Sequence, residues 1–278
     1  MRFALCISGY FSNIDKDDLT KTNYIQDNII KHILENNNTC DIFIHSFDIT
    51  NERNILNKYQ NVSKYIIEEQ HDFNKILNDE NRIFINLLNK EYDLSKYPQY
   101  NIFSTLSFMY SRSKSIKLAI EYAEENNIKY NAIIRVRFDI GIRLKMPHLG
   151  LKPDNLVFNP KDNYNYNYFY SSYWNQLNAG YADFWEFSNM ENMNILSGIY
   201  DFITSQCFVI DSLFLSCLND WFESDKNNEL TNVRLQPNKD IYKNAKIDKI
   251  HCLNNHYIEK YFCLCNGLYT KSKFLDFT

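Results

Sequence analysis

Glycine is scarce in this chain, 6 residues in 278, and proline is scarcer still at 5. Neither G-x-G-x-x-G nor G-x-x-x-x-G-K-[ST] occurs. The dinucleotide fingerprint and the P-loop are therefore both excluded. Long apolar runs are missing as well. The most apolar long segment, Phe202 to Leu218, is interrupted by Gln206 and Asp211 and falls short of a membrane span. Peripheral contact with a membrane stays open. Positive charge is not in excess: the net charge is −4 and the pI near 5.9. General nucleic-acid binding, which needs a basic face, is not expected. The sequence displays no Ser-His-Asp arrangement, no H-E-x-x-H, no cysteine-nucleophile signature and no kinase motif set. No period of repeats is evident.

Cysteine gives a different kind of exclusion. There are seven, an odd number, and the apolar run Phe3–Ile7 is too short for a signal h-region. It reads as a first strand, and a reducing cytoplasm is the expected home. Cys263-Leu264-Cys265 is not C-x-x-C. Cys252, His251 and His256 nearby leave a zinc site open, against the plainer reading of buried thiols among aromatic neighbours.

Aromatic residues are abundant: 21 Tyr and 20 Phe. A chain of this length builds one large α/β domain or two small ones and buries a substantial core. Arg2–Ser8 reads as a strand. Lys21–Glu35 has a helical apolar period, stopped by Asn36-Asn37-Asn38. Asp41–Ser46 and Tyr65–Glu68 read as strands, and Asn78–Asn89 as a helix. Ile102–Asn126 reads as one long helix, followed by a strand from Ala132. This order predicts a mostly parallel sheet with helices packed on it. After Gly141 the chain is richer in loops. Asp162–Tyr173 suits a surface loop or lid, Gly180–Phe187 a short strand, and Met190–Tyr200 and Asp211–Phe222 helices. The last forty residues mix polar loops with the aromatic stretch Tyr257–Cys265. With no flexible linker, a single domain over 1–278 is expected, its second half (146–278) an elaboration on the sheet of the first (1–145).

The richest stretch is Ala132-Ile133-Ile134-Arg135-Val136-Arg137-Phe138-Asp139. A β-branched strand ends in three charges, and alternation puts Arg135, Arg137 and Asp139 on one face. Charges where a strand leaves the sheet suit the ligand crevice of an open α/β sheet. Two cations and one anion there can grip a phosphorylated ligand, or form a structural ion pair. Ser8-Gly9-Tyr10 follows the first strand, where Gly9 lets backbone amides approach a ligand. His45 and Asp48 end the second strand. Lys114 lies on the long helix within reach of a phosphate. Asp183 sits among aromatics, where desolvation would raise its pKa and suit it to general-base work. Trp185 is a candidate sugar-stacking wall.

Taken in order, Ser8-Gly9-Tyr10, Phe43-Ile44-His45-Ser46, Met109-Tyr110-Ser111, Ile133–Asp139 and Ala182–Phe187 resemble a group of bacterial and viral glycosyltransferase-like proteins. These occur with capsule and lipopolysaccharide genes and have a GT-A-like, single Rossmann-type domain. The resemblance covers roughly the first 195 residues. It implies a cytoplasmic enzyme, at most at the inner face of the membrane. The enzyme would move sugar from a nucleotide-sugar donor to a glycan or lipid-linked glycan acceptor in surface polysaccharide synthesis. Ser8, Gly9, Tyr10, His45, Lys114, Arg135, Arg137 and Asp139 would bind the donor. Asp183 would be the base and Trp185 an acceptor contact. Where the GT-A pattern has Asp-x-Asp for a divalent metal, this chain has Arg137-Phe138-Asp139. Asp139 alone is left to hold Mg²⁺ or Mn²⁺, or the arginines replace the metal. A nucleotidyl- or other phosphate-group transferase and a non-catalytic glycan-binding protein are the alternatives.

Overall fold

The computed structural model describes residues 1–11, 29–37, 39–77, 79–96, 101–140, 156–172, 181–205 and 252–275. Four strands come first: β1 (Phe3–Ser8), β2 (Cys40–Ser46), β3 (Val62–Ile67) and β4 (Ala132–Arg137). Three follow: β5 (Phe169–Ser172), β6 (Trp185–Ser188) and β7 (Ser272–Leu275). They form one sheet in the order β3-β2-β1-β4-β6-β5-β7. The β1/β2, β2/β3, β1/β4 and β5/β7 pairs are parallel; β6 runs antiparallel to β4 and to β5. The fold is therefore α/β with a mixed, mostly parallel sheet.

Among the described residues the α-helices are α1 (Glu52–Lys58), α2 (Asp79–Tyr92), α3 (Ile102–Glu125), α4 (Met190–Ser197), α5 (Ile199–Ser205) and α6 (Asn255–Cys265). The long helix α3 starts where Asn101 accepts from the Phe103 and Ser104 amides. It ends at Asn127, which takes the left-handed φ of 52° while Ile128 N–H bonds back to Ala123. This is a Schellman ending with Asn in the place glycine usually fills.

The period of two sorts the strand residues onto two cores. Phe3, Leu5 and Ile7 of β1, Ile134 and Val136 of β4, and Trp185 and Phe187 of β6 pack on one face of the sheet. Ala4, Cys6, Phe43 and Ile133 face the other, under Leu106, Met109, Ile116 and Ala119 of α3. Each fully buried side chain of this size contributes about 1.5–3 kcal/mol. Toward the carboxyl ends of the strands the α3-side face turns polar. It carries Ser8, His45, Arg135 and Glu186, and α3 answers with buried Ser111, Arg112, Ser113 and Ser115.

Several expectations need correction. Phe169–Ser172 is a buried strand within the sheet, not part of a surface loop, because Tyr170 stacks on Phe187 and Tyr164 packs edge-on against it. The strand after Tyr181 begins only at Trp185, so Asp183 lies in the bend before it. The Met190–Tyr200 helix is two helices, α4 and α5, meeting at Gly198. The aromatic stretch near the end is α6, capped by Asn254. The helix expected over Asp211–Phe222, and most of that over Lys21–Glu35, lie outside the described residues. No described helix is long and apolar enough to cross a membrane.

Candidate functional site

The chain builds β1, β2 and β3 outward in one direction, then returns to place β4 on the other side of β1. Crossovers leave opposite faces at such a point, and a crevice opens outside the carboxyl ends of the two strands. A cleft of about 440 Å³ lies there. Its floor holds Ser8, Gly9 and Tyr10 after β1, and Arg137, Phe138 and Asp139 at the end of β4. Asp183 and Asn255 close one side. The first turns of α3 supply Ser104, Ser107, Phe108 and Ser111, and Gln70 faces them from beyond β3.

Arg137 sits between two acids. Its Nε donates to Asp139 at 2.7 Å and its Nη1 to Asp183 at 2.9 Å. The three side chains are 29%, 24% and 10% exposed respectively. Burial alone would raise the Asp183 carboxyl, but the Arg137 guanidinium, with His256 and Arg135, outweighs it. The pKa falls to about 2. Asn255 adds a hydrogen bond to the same carboxylate at 2.8 Å. The expected raised pKa is therefore overturned: desolvation acts on Asp183, but its ion pair is stronger. An acid held this low is a weak proton acceptor at neutral pH.

Arg135, two residues earlier on the same face, never reaches the cleft. It is fully buried, donating to Ser8 Oγ at 3.1 Å and to the Asp183 carbonyl at 2.7 Å. Glu186 lies 3.4 Å from it. Glu186 also lies 3.0 Å from Arg112, which forks onto Glu259 at 2.7 and 2.6 Å. Two arginines and two glutamates thus form a closed ionic core between β4, β6, α3 and α6. Burial pushes Glu259 up to about 7 against the pull of Arg112. For Arg135 the structural reading holds and the phosphate-binding one does not.

Three further expectations are corrected. Trp185 is buried in the opposite face of the sheet, stacked near Phe187, and cannot line the cleft. Strand alternation is the reason: Glu186 points to α3, so Trp185 points away. Lys114 does not line the cleft; its ammonium sits 5.4 Å from the Tyr110 ring centroid. His45 is fully buried and also off the lining. Its Nδ1 meets Ser111 Oγ at 2.8 Å and its Nε2 meets Glu68 at 3.0 Å. Asp48 accepts from Thr50 and Asn51 beside it.

Gly9 lines the cleft with φ of 113°, a conformation that side-chain-bearing residues rarely adopt. Its N–H, however, is held by Ser111 Oγ at 3.0 Å and the His45 carbonyl at 3.2 Å. Ser46 Oγ donates to its carbonyl at 2.8 Å. The glycine serves the turn more than it offers an open amide. Tyr10 lines the cleft and donates to Gln70 at 2.8 Å.

Sequence reasoning missed Gln70, Ser107, Phe108, Ser111 and Asn255. Only Ser111 lay in a stretch already singled out. Asn255 lies in the part of the chain that carried no motif, and its signal would have been a helix cap pattern, Asn254 before an aromatic-rich helix. The metal expected at Asp139 is not matched by the residues present. Both carboxylates nearest the site are engaged by Arg137, whose positive charge would repel a cation. No group of three or more His, Cys, Asp or Glu among the described residues is placed to hold a metal ion. Cys6, Cys252 and Cys263 are buried thiols, and His251 lies outside the described residues. Compared with protein-family models, curated proteins and solved structures, the chain matches none.

Proposed function

We propose that the protein is a glycosyltransferase of GT-A-like fold, taking a nucleotide-sugar donor and a glycan or lipid-linked glycan acceptor. One observation carries the reading. The cleft outside β1 and β4, at the reversal of strand order, is walled among the described residues by hydroxyls, amides and aromatic rings around the Arg137 guanidinium. Hydroxyls and amides exchange hydrogen bonds with sugar hydroxyls, and rings such as Tyr10 and Phe108 cover their C–H faces. Arg137 keeps N–H bonds beyond those given to Asp139 and Asp183, and these are available to the donor's phosphates. One cation between two acids offers direction more than net positive charge. Sugar and ribose hydroxyls therefore supply most of the recognition.

In this reading Asp139 and Asp183 hold Arg137 in place. Asp183 orients substrate and does not serve as a strong base, so inversion through Asp183 loses its support and retention gains. No step passes through a metal. The low basicity of Asp183 equally favours a second reading, a glycan-binding protein without catalysis. A phosphate-group transferase is less favoured, because the acids that would hold its metal are tied to Arg137.

A thermal-shift screen separates the readings. UDP-, GDP-, CMP- and dTDP-sugars, their nucleoside diphosphates and free oligosaccharides are tested with and without Mn²⁺. A donor at about 100 times its dissociation constant should stabilise the fold by about 2.7 kcal/mol. Stabilisation by oligosaccharides alone would leave the glycan-binding reading. No shift with any of them would remove both.

A further inference from the structure

The cleft also opens on an arrangement that glycosyl transfer does not use. Ser111 Oγ is 2.8 Å from His45 Nδ1, and His45 Nε2 is 3.0 Å from Glu68 Oε1. Three elements bring the groups together: α3 carries Ser111, the end of β2 carries His45, and Glu68 directly follows β3. A nucleophile, a base in hydrogen-bond reach and a third group orienting the base form the signature of an activated nucleophile.

Proton positions follow from the donor inventory. An ionised carboxylate only accepts, so His45 Nε2 carries the hydrogen toward Glu68. A neutral imidazole has its other nitrogen free as acceptor, so Ser111 donates to Nδ1. Burial, opposed by Glu68, lowers His45 to about 4, so the ring is neutral near pH 7 and relies on the Glu68 carboxylate to hold the charge it takes up as a base. Burial would raise Glu68, but hydrogen bonds from His45 and Tyr110 hold it below the ordinary glutamate range, so it is ionised. The imidazole plane is fixed edge-on by Phe47 and Tyr110, at 4.9 and 5.4 Å between centroids. His71 Nε2, 3.2 Å from the same Glu68 oxygen, anchors the acid in turn.

We infer that Ser111, His45 and Glu68 form a nucleophilic relay opening on the cleft, with a short acyl ester of a hydroxyl-rich ligand as its substrate. The ligand class follows from the hydroxyl and amide wall. The short acyl group follows from access: Ser111 lines the cleft yet is only 2% exposed. Ser111 Oγ bonds to the acyl carbon while its proton passes to His45 Nδ1, and Glu68 holds the imidazolium. The ester C–O bond breaks, and the departing alkoxide takes the proton from His45. Water then attacks the acyl-serine, giving its proton to His45. The carboxylic acid leaves as Ser111 recovers its own proton. The Gly9 N–H donates to Ser111 Oγ at 3.0 Å and helps fix the position of the nucleophile.

The test needs neither nucleotide nor sugar, so it stands apart from the donor screen. The intact protein is exposed to methanesulfonyl fluoride, a serine reagent small enough for this access, the adduct is weighed, and the modified peptide is mapped. Turnover of p-nitrophenyl acetate is followed in parallel. One adduct on Ser111 is expected. Glu68→Gln keeps the shape of a half-exposed side chain and should slow labelling on the order of 10²-fold. An unmodified parent protein, an adduct mapped elsewhere, or a Glu68→Gln variant labelled at the parent rate would each overturn the relay. Mapping on the parent protein keeps the outcome readable if a variant fails to fold.

Discussion

Arg135 and Arg137 stand two residues apart on one face of one strand, yet they belong to different structures. Arg135 is sealed under α3 and β6 with Glu186, and Arg112 and Glu259 extend the cluster. Arg137 lies one step beyond the cover, part exposed, with Asp139 and Asp183 in the cleft. The inner cluster balances two cations with two acids. The outer one sets two acids against one cation. A buried charge must be matched almost completely, because desolvation is severe. At the mouth, solvent screens the imbalance and the guanidinium keeps hydrogen bonds to offer. The boundary between core and site thus falls between two arginines of one strand.

The largest effect should come from breaking the inner cluster. Arg112→Leu leaves Glu259 and part of Glu186 buried without their cation. The expected loss is about 3–5 kcal/mol in denaturant unfolding, the range for orphaning one member of a buried pair. Adding Glu259→Leu should restore part of it. A single variant within about 1 kcal/mol of the parent would erase the distinction between the clusters.

Asp183→Asn tests the outer cluster at a smaller scale. The folded carboxyl titrates near pH 2, below its ordinary value near 4. A depressed acid contributes stability above its unfolded pKa, and this is lost as pH falls through the folded one. The variant should therefore cost about 2 kcal/mol at pH 7. It should also lose less than the parent does between about pH 4 and pH 2. Equal acid sensitivity in the two proteins would show that the Arg137 pair is not its source.

The smallest effect belongs to Lys114→Ala. Among the described residues it removes a cation–π contact with Tyr110, worth about 0.5–1 kcal/mol at a partly exposed site. Ligand affinity should stay within about twofold, an amount equal to less than 0.5 kcal/mol. A larger loss would bring Lys114 back to the site and blur the border drawn at Arg137.

Much of this border was legible in advance, and its limits are instructive. Periodicity located β1, β2, β4 and α3 within a residue or two, because apolar spacing and Asn caps are local signals. The charges at the end of β4 and the turn at Gly9 pointed to the correct edge of the sheet. Alternation told that Arg135 and Arg137 share a face, but not where the cover over that face stops. That limit is set by α6, whose Glu259 meets Arg112 across 147 residues. Trp185 was misread because its ring chemistry was weighed ahead of its position opposite Glu186. His45 and Ser111 each lie in a stretch the sequence singled out, but no spacing joins them to each other or to Glu68. They meet only because β2, β3 and α3 converge.

Helix α6 reaches the inner cluster through Glu259 and the cleft through Asn255, and Leu253, just before its cap, reaches the start of α3, its carbonyl accepting from Thr105. During synthesis, Arg112 and Arg135 leave the ribosome long before Glu186 and Glu259. At ordinary elongation rates the interval to Glu259 is on the order of ten seconds. Through that interval the nascent strands hold two cations whose acids have not yet been made. The four-membered ionic core between α3, β4, β6 and α6 is therefore complete only once α6 has been translated.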